Sequence, residues 1–242
     1  MLDVVGIVFI GVTLAVLLTA IITSLPLSSS ARLILAGAAG AWVSLAVGVV
    51  SGGGLSNLLN LLVMFGTPLL VAAALALLSP AARRLAGAVP TPMLIGLNVF
   101  RVLGVLFVLL AAAGRLAGPF PYSAGWGDVV TGVLAVPAAW AATRETRRWD
   151  GLLLAWNAFG MLDLIVAVAL GVTSRNGSPV QLIHAGVGTA AITTLPWALI
   201  PTVLVPFFLI DHAVIFTRLL ARRPSGSIER QAPFGALGAA RR

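Results

Sequence analysis

Seven mainly apolar stretches, each about as long as the 20 residues that span a bilayer core as a helix, constrain this chain more than any other feature. A helix also satisfies its own backbone hydrogen bonds inside lipid. The chain is therefore predicted to be an all-α polytopic membrane protein built as a seven-transmembrane-helix bundle. The predicted helices cover residues 3–24, 33–50, 57–78, 93–113, 122–143, 151–173 and 192–217.

The first and fifth stretches each need a separate argument. The first begins Met1-Leu2-Asp3 without a basic region, and its apolar run exceeds that of a secretory signal peptide, so it is predicted to be a true helix. The strictly apolar part of the fifth, residues 129–142, is short. A full fifth span must therefore include Asp128 inside the membrane.

The loop Arg residues test the number of spans and give an orientation. With seven spans, twelve of the 15 Arg fall on one side and only Arg115 and Arg175 on the other. The positive-inside rule places the Arg-rich side in the cytoplasm, so the N-terminus is predicted outside and the C-terminus inside. An Arg-rich, Lys-free composition is typical of a high-GC bacterium, which favours the plasma (inner) membrane. The Arg-rich side carries Arg32, Arg83, Arg84, Arg144, Arg147, Arg148, Arg218, Arg222, Arg223, Arg230, Arg241 and Arg242.

Composition excludes several functional classes. The chain has no Cys, which excludes disulfides, thiolate metal sites and a Cys nucleophile, and no Lys, which excludes a retinal Schiff base. The net charge of +8 comes from Arg residues placed between apolar stretches, so no nucleic-acid partner is expected. The sequence contains no phosphate loop, Gly-x-Ser-x-Gly elbow or His-Glu-x-x-His motif. No cofactor is predicted, and the expected partners are the lipid bilayer and a small-molecule ligand.

Ionisable residues inside the predicted spans are the candidates for function, because each costs about 2.5 to 3.5 kcal/mol at the bilayer centre. A rise of about 1.5 Å per residue places Arg101, Asp163 and Asp128 about 13, 18 and 21 Å from the cytoplasmic boundary. A long Arg side chain bridges these differences, so we predict a buried Arg101–Asp163 ion pair with Asp128 nearby. Asn98, on the helix face of Arg101, and Asn157, below Asp163, complete the predicted ligand or proton site.

Two interpretations of this cluster remain open. One Arg neutralises one Asp, which leaves a second carboxylate protonated or paired with a cation. That imbalance favours a site that binds or transports a small solute or protons, with Asp128 as the titrating group. Alternatively, the cluster only fastens helices together, as polar residues do in membranes, and the protein is a subunit or scaffold of a membrane complex.

The segment Gly125-Trp126-Gly127-Asp128 resembles the Gly-x-Gly-Asp pattern around one catalytic aspartate of presenilin-like and prepilin-peptidase-like intramembrane proteases. Such enzymes pair two aspartates that share a proton and activate water. The resemblance implies an intramembrane enzyme with Asp128 and Asp163 as its catalytic dyad. Asp163 follows the motif, whereas the partner aspartate of presenilins precedes it.

The last predicted span carries Asp211, His212 and three prolines. Consecutive helical residues point about 100° apart, so Asp211 and His212 are not expected to share a metal, and no metal site is predicted. His212, about 10 Å from the cytoplasmic boundary, is expected to be an interfacial hydrogen-bonding residue. Pro196, Pro201 and Pro206 each remove a backbone donor and predict a bent helix, either as fixed shape or as a hinge.

Two segments outside the spans complete the predicted organisation. Residues 222–242, after a transmembrane domain of residues 1–221, are rich in Arg and poor in large apolar residues. They are predicted to be a disordered, basic cytoplasmic tail whose Arg residues each gain about 1 kcal/mol near anionic lipid. The external connection 174–191, which carries His184, is predicted to form a surface lid or to dip back into the membrane.

Overall fold

The chain folds into helices joined by short turns, as seen in a computed structural model that describes residues 1–144 and 146–222. Within these ranges there are nine α-helices and no strand. Of the predicted tail, residues 223–242 lie outside the described residues. The helices are α1 (Leu2–Ser24), α2 (Ser29–Ser51), α3 (Leu58–Leu78), α4 (Pro80–Ala88), α5 (Thr91–Leu97), α6 (Val105–Ala112), α7 (Phe120–Ala142), α8 (Asp150–Thr173) and α9 (Val205–Ala221).

In the part of the chain that the structure describes, six helical stretches are long and apolar enough to cross a membrane. α1, α2, α3 and α8 each supply one, α5 and α6 together supply the stretch Thr91–Ala112, and α9 belongs to the stretch Ile200–Ala221. Many of their large apolar side chains are exposed, as on α2 and α3. Such a surface is unfavourable in water and suits a lipid environment. The protein is therefore a multi-pass membrane protein.

α7 is as long as these helices, with 23 residues, but it is not among the six stretches. It lies antiparallel to the fourth stretch over its whole length. At one end the Phe120 ring packs 5.2 Å from the Phe107 ring, and towards the other end Ala139 lies beside Gly96. α7 also packs against α8, and so it extends between the same two ends of the bundle as its neighbours.

Polar contacts show which segments lie together at the end of the bundle where α1 starts. Asp3 Oδ1 accepts hydrogen bonds from Arg115 Nη1 and from Trp197 Nε1, both at 2.7 Å. Arg175 Nη2 donates to the Leu55 carbonyl at 2.7 Å. The start of α1, the end of α6, the end of α8 and the α2–α3 turn therefore lie together.

The opposite end gathers the Arg-rich loops. Arg218, near the end of α9, donates to the Val89 carbonyl at 2.5 Å and to Thr91 Oγ1 at 3.0 Å, just before and at the start of α5. Arg222 lies 4.0 Å from Asp150 at the start of α8. Among the described residues, this end carries the loop Arg residues other than Arg115 and Arg175.

One helix is absent from the sequence-based prediction. Residues after Ser79 are expected to form a loop, but the chain forms α4. Ser79 Oγ caps it by accepting from the Ala82 N–H at 3.2 Å, and Pro80 occupies the first turn, where its missing N–H costs no hydrogen bond. The Ser79-Pro80 pair, which is typical of a loop, is thus the start of a helix.

The last predicted span, residues 192–217, starts too early and ends too early. Residues before Ile200 form turns and a 3-10 turn, the segment Ile200–Leu204 has π-helical hydrogen bonding, and α9 continues to Ala221. Pro196 therefore precedes the helix, and the prediction that it lies in a helical hinge is wrong.

Pro201 and Pro206 lie within the last stretch. Pro206 has no N–H to give to the Thr202 carbonyl four residues earlier. That carbonyl instead accepts from Trp42 Nε1 of α2 at 3.3 Å. The acceptor freed by Pro206 is therefore satisfied by a neighbouring helix, and hinge motion about these prolines stays a prediction.

The predicted external connection lies across the end of α8. Thr189 is buried and its hydroxyl donates to the Gly171 carbonyl at 2.7 Å, while Ala117 N donates to Gly188 O at 2.9 Å. His184 is exposed. The segment is thus a surface connection that is hydrogen-bonded both to α8 and to the α6–α7 loop.

Candidate functional site

Arg101 lies at the centre of a buried polar cluster between the fourth stretch, α7, α8 and α9. Its side chain is 1% exposed. Nε donates to Asp128 Oδ1 and Nη2 to Asp163 Oδ2, both at 2.7 Å. Nη1 donates to the Gly160 carbonyl at 2.9 Å and contacts His212 Nε2 at 2.9 Å. The predicted pairing of Arg101 with Asp163, and the nearby Asp128, are both present.

The contacts of His212 fix its tautomer. A guanidinium has only donors, so His212 Nε2 must accept from Arg101. The proton of the neutral ring then lies on Nδ1, which donates to Asn157 Oδ1 at 2.8 Å. The amide group of Asn157 is held in that orientation because its Nδ2 donates to the His212 carbonyl at 3.1 Å. His212 therefore adds no positive charge to the cluster.

A 3-10 segment, Asn98–Gly104, separates α5 from α6 and positions Arg101. With three residues per turn, Asn98, Arg101 and Gly104 stack on one face. Its rise of about 2 Å per residue also places Arg101 deeper than an α-helix would, about 16 Å from the start of α5. All three residues are buried and face α7, α8 or α9.

Three glycines make room for the partners of Arg101. A Cβ on Gly127 would lie 1.7 Å from Asp163 Oδ1, and one on Gly104 would lie 2.3 Å from Asp128 Cβ. A Cβ on Gly160 would meet the ring of His212 at 2.7 Å. Each polar side chain therefore packs directly on a neighbouring helix backbone, and only glycine permits this approach.

The same packing explains the Gly-x-Gly-Asp segment without catalysis. Gly127 supports Asp163, and Gly125 lies against the fourth stretch, where a Cβ would meet the Gly104 carbonyl at 2.9 Å. Asp128 and Asp163 each contact the guanidinium of Arg101 and are bridged by it. Both glycines and the aspartate are required by the contacts of α7 with its neighbours.

Asn98 and Asp211 form a second buried pair. Asn98 Nδ2 donates to Asp211 Oδ2 at 2.7 Å and to the Leu94 carbonyl at 3.2 Å. Asn98 is 0% and Asp211 is 4% exposed. The sequence predicts Asn98 in the site of Arg101, whereas its amide binds the carboxyl group on α9 instead.

The expected interfacial position of His212 is wrong. α9 ends at Ala221, so His212 lies about 13 Å inside the helix end and is fully buried. Trp156 Nε1 donates to the Thr131 carbonyl at 3.1 Å, and its ring packs 5.6 Å from that of His212. A last helix that ends at residue 217 does not predict the contact of His212 with Arg101.

An apolar crevice reaches Asp128 from the side of α3. It is lined by Phe65, Leu164, Val168 and Val205 among others, and Asp128 is the only charged side chain among its described lining residues. Its volume is about 60 Å³, room for a few water molecules. A second, smaller crevice shares Asp128 and also reaches Arg101.

No group of three or more His, Cys, Asp or Glu side chains arranged to hold a metal ion occurs in the part of the chain that the structure describes. Asp211 and His212 belong to different hydrogen-bonded pairs, with Asn98 and with Asn157. The residues of the cluster are thus arranged around a guanidinium.

Comparison with known proteins gives one family. A family model described as a domain of unknown function (DUF8737) matches residues 58–220, more than half of the chain. The match runs from α3 to α9 and includes every residue of the Arg101 cluster. No curated protein and no solved structure matches the chain.

Proposed function

Because the chain belongs to the DUF8737 family, whose description assigns no activity, we propose a function from the site itself. The protein binds a proton or a small cationic solute at the Arg101–Asp128–Asp163 cluster and moves it across the membrane. Asp128 is the group that takes up the proton or cation. Arg101 sets the charge of the site and Asp163 orients Arg101.

The charge balance of the cluster is the observation that carries this proposal. Asp128 and Asp163 each contact Arg101 at 2.7 Å, and His212 is neutral by its hydrogen bonds. With both carboxylates ionised, the cluster carries one excess negative charge. A buried charge without a partner costs several kcal/mol, so one proton or monovalent cation completes the site.

Access and size support a small occupant. The crevice on the side of α3 reaches Asp128. The Asp128 side chain is 15% exposed, whereas that of Arg101 is 1% exposed. A crevice of about 60 Å³ holds water or an ion, whereas pockets for drug-sized ligands measure about 300 to 1,000 Å³. Asp128 is therefore the residue through which the cluster exchanges its positive charge.

The proposed topology has seven spans, with α7 as the fifth. α7 has the length to cross the bilayer, and its polar residues Asp128 and Thr131 face other helices. The Arg-rich end lies in the cytoplasm by the positive-inside rule, which puts the N-terminus outside. A bacterial plasma membrane is the proposed location.

Two alternative functions make different demands on the site. An aspartyl protease needs two carboxylates that share a proton around a water molecule, and here the guanidinium of Arg101 lies between them. A structural cluster needs only enough polar contact to fasten helices, for which one Arg and one Asp suffice. The protease alternative does not explain the guanidinium between the two carboxylates, and the structural alternative does not explain the second carboxylate.

Thermal unfolding of the purified full chain in nanodiscs tests the binding step. A ligand that binds only the folded protein raises its unfolding midpoint as the ligand concentration rises. We expect the midpoint to rise as the proton, Na⁺ or K⁺ concentration is raised, and Asp128→Asn to abolish this dependence. Asp150→Asn, at the Arg-rich end, is the matched control and should retain it. A dependence that survives in Asp128→Asn contradicts the proposal.

A further inference from the structure

The Asp211–Asn98 pair contains two buried oxygen atoms that no donor of the described residues reaches. Asn98 Nδ2 donates to Asp211 Oδ2 at 2.7 Å. The other oxygen of each group, Asp211 Oδ1 and Asn98 Oδ1, is buried and has no hydrogen-bond partner among the described residues. Leaving a buried acceptor unsatisfied costs about 1 to 3 kcal/mol, and more when it is charged.

A single proton on Asp211 supplies the hydrogen bond that both oxygen atoms lack. A carboxylic acid and a carboxamide form a pair with two hydrogen bonds, one in each direction. The amide already donates to one oxygen of Asp211, and a hydroxyl on the other oxygen donates back to Asn98 Oδ1. A proton taken from solution and bonded to Asp211 Oδ1 thus satisfies both oxygens and leaves no charge in the bundle.

The charged groups around Asp211 are engaged elsewhere. Arg101, on the 3-10 segment, contacts Asp128 and Asp163, and Arg218, two turns along α9, donates to Val89 O and Thr91 Oγ1. α3 and α5, which also pack on α9, carry no titratable residue.

The remaining titratable groups near α9 are also paired. On α8, Asp163 contacts Arg101 and Asp150 faces Arg222 at 4.0 Å. His212, next to Asp211 in the chain, is bonded to Asn157 and Arg101. No described cation lies within 4.0 Å of Asp211.

We propose that Asp211 and Asn98 form a proton-binding site of their own, in which Asp211 is a neutral carboxylic acid at neutral pH. The site is distinct from the Arg101 cluster, since Asp211 contacts none of its carboxylates. It does not depend on the proposed transport activity, because it follows from the hydrogen bonding of this pair alone.

Infrared spectroscopy of the full-length protein in nanodiscs at neutral pH tests this site. A protonated carboxylic acid has a C=O stretching band that an ionised carboxylate lacks. We expect Asp211→Asn to remove a band with the intensity of one carboxyl group, and Asp150→Asn to leave it unchanged. A difference spectrum between wild type and Asp211→Asn without such a band overturns the proposal.

Asn98→Leu keeps the test decisive if Asp211→Asn does not fold, and Asp211→Leu extends the test when Asp211→Asn folds. Asn98→Leu removes the amide partner and should move the band to higher frequency, since a hydrogen bond is lost. Asp211→Leu should lower the unfolding midpoint, whereas Asp211→Asn should keep it, because its amide N–H replaces the acid O–H. A band unaffected by Asn98→Leu contradicts the pairing. Flux measured on Asp128→Asn tests the transport proposal separately.

Discussion

The polar partners of Arg101 pack against glycine residues of neighbouring helices. Gly104, Gly127 and Gly160 lie where Asp128, Asp163 and His212 pack onto helix backbones. Short distances between Arg101 and its partners are possible only because the helices approach closely at these points. The charged cluster is therefore as sensitive to small-residue substitutions as to changes of charge.

Gly127→Ala tests this dependence. Its methyl group would lie 1.7 Å from Asp163 Oδ1, so Asp163 must move away from Arg101. We expect a loss of about 1 to 3 kcal/mol in the free energy of unfolding, as for overpacking in cores. Gly151→Ala, in the same protein but with open space around it, should be neutral or slightly stabilising. Equal effects of the two substitutions in reversible unfolding in detergent contradict this packing.

Arg101→Gln tests the charge balance by leaving Asp128 and Asp163 without their cation. Removing one partner of a buried ion pair costs about 3 to 5 kcal/mol, because the remaining charge is uncompensated. We expect that loss in the free energy of unfolding. Adding Asp128→Asn and Asp163→Asn to Arg101→Gln should recover much of it. A triple variant no more stable than Arg101→Gln alone would show that charge is not the cause.

The sequence predicts the pairing of Arg101 with two aspartates because charges inside a bilayer must find partners and few are present. It does not predict the place of His212, since this depends on where a proline-rich helix begins and ends. It also misses the partner of Asn98. An α-helical rise and i to i+3 spacing describe the face of Asn98 correctly, but not which neighbouring helix that face meets.

Among the helices, α7 is the element that joins the site together. It supplies Asp128, supports Asp163 through Gly127, and packs against the fourth stretch and α8. Apolar length predicts the first four spans and α8 within a few residues but misplaces the start of the last stretch, whereas the apolar part of α7 is shortened by the residues that form the site. Length and hydropathy also fail to predict the 3-10 segment and α4, which depend on local hydrogen bonds and capping.

Cysteine labelling tests whether α7 crosses the membrane. The chain has no Cys, so Ala113→Cys in the α6–α7 loop and Thr143→Cys after α7 each provide a single exposed thiol. We expect a membrane-impermeant maleimide added outside cells to label Ala113→Cys and to label Thr143→Cys only after permeabilisation. Labelling of both from the same side contradicts a crossing α7.

For the whole molecule, charge is separated by depth. The Arg-rich loops lie at one end and Asp3 and Arg115 pair at the other. Between them lie one Arg, the buried Asp211 and the half-buried Asp128 and Asp163. The excess of carboxylates inside the bundle, a crevice that reaches Asp128, and an apolar exterior are together expected of a protein that carries positive charge through a bilayer.

Flux into liposomes that contain the purified full-length protein tests this central claim most directly. Uptake of protons, Na⁺ and K⁺ is measured for wild type, Asp128→Asn and the control Asp150→Asn, each checked for its folded fraction. We expect wild type and Asp150→Asn to move protons or one of these cations faster than protein-free liposomes, and Asp128→Asn to fall to the protein-free rate. Folded Asp128→Asn with the wild-type rate, or wild type with no rate above protein-free liposomes, would contradict it.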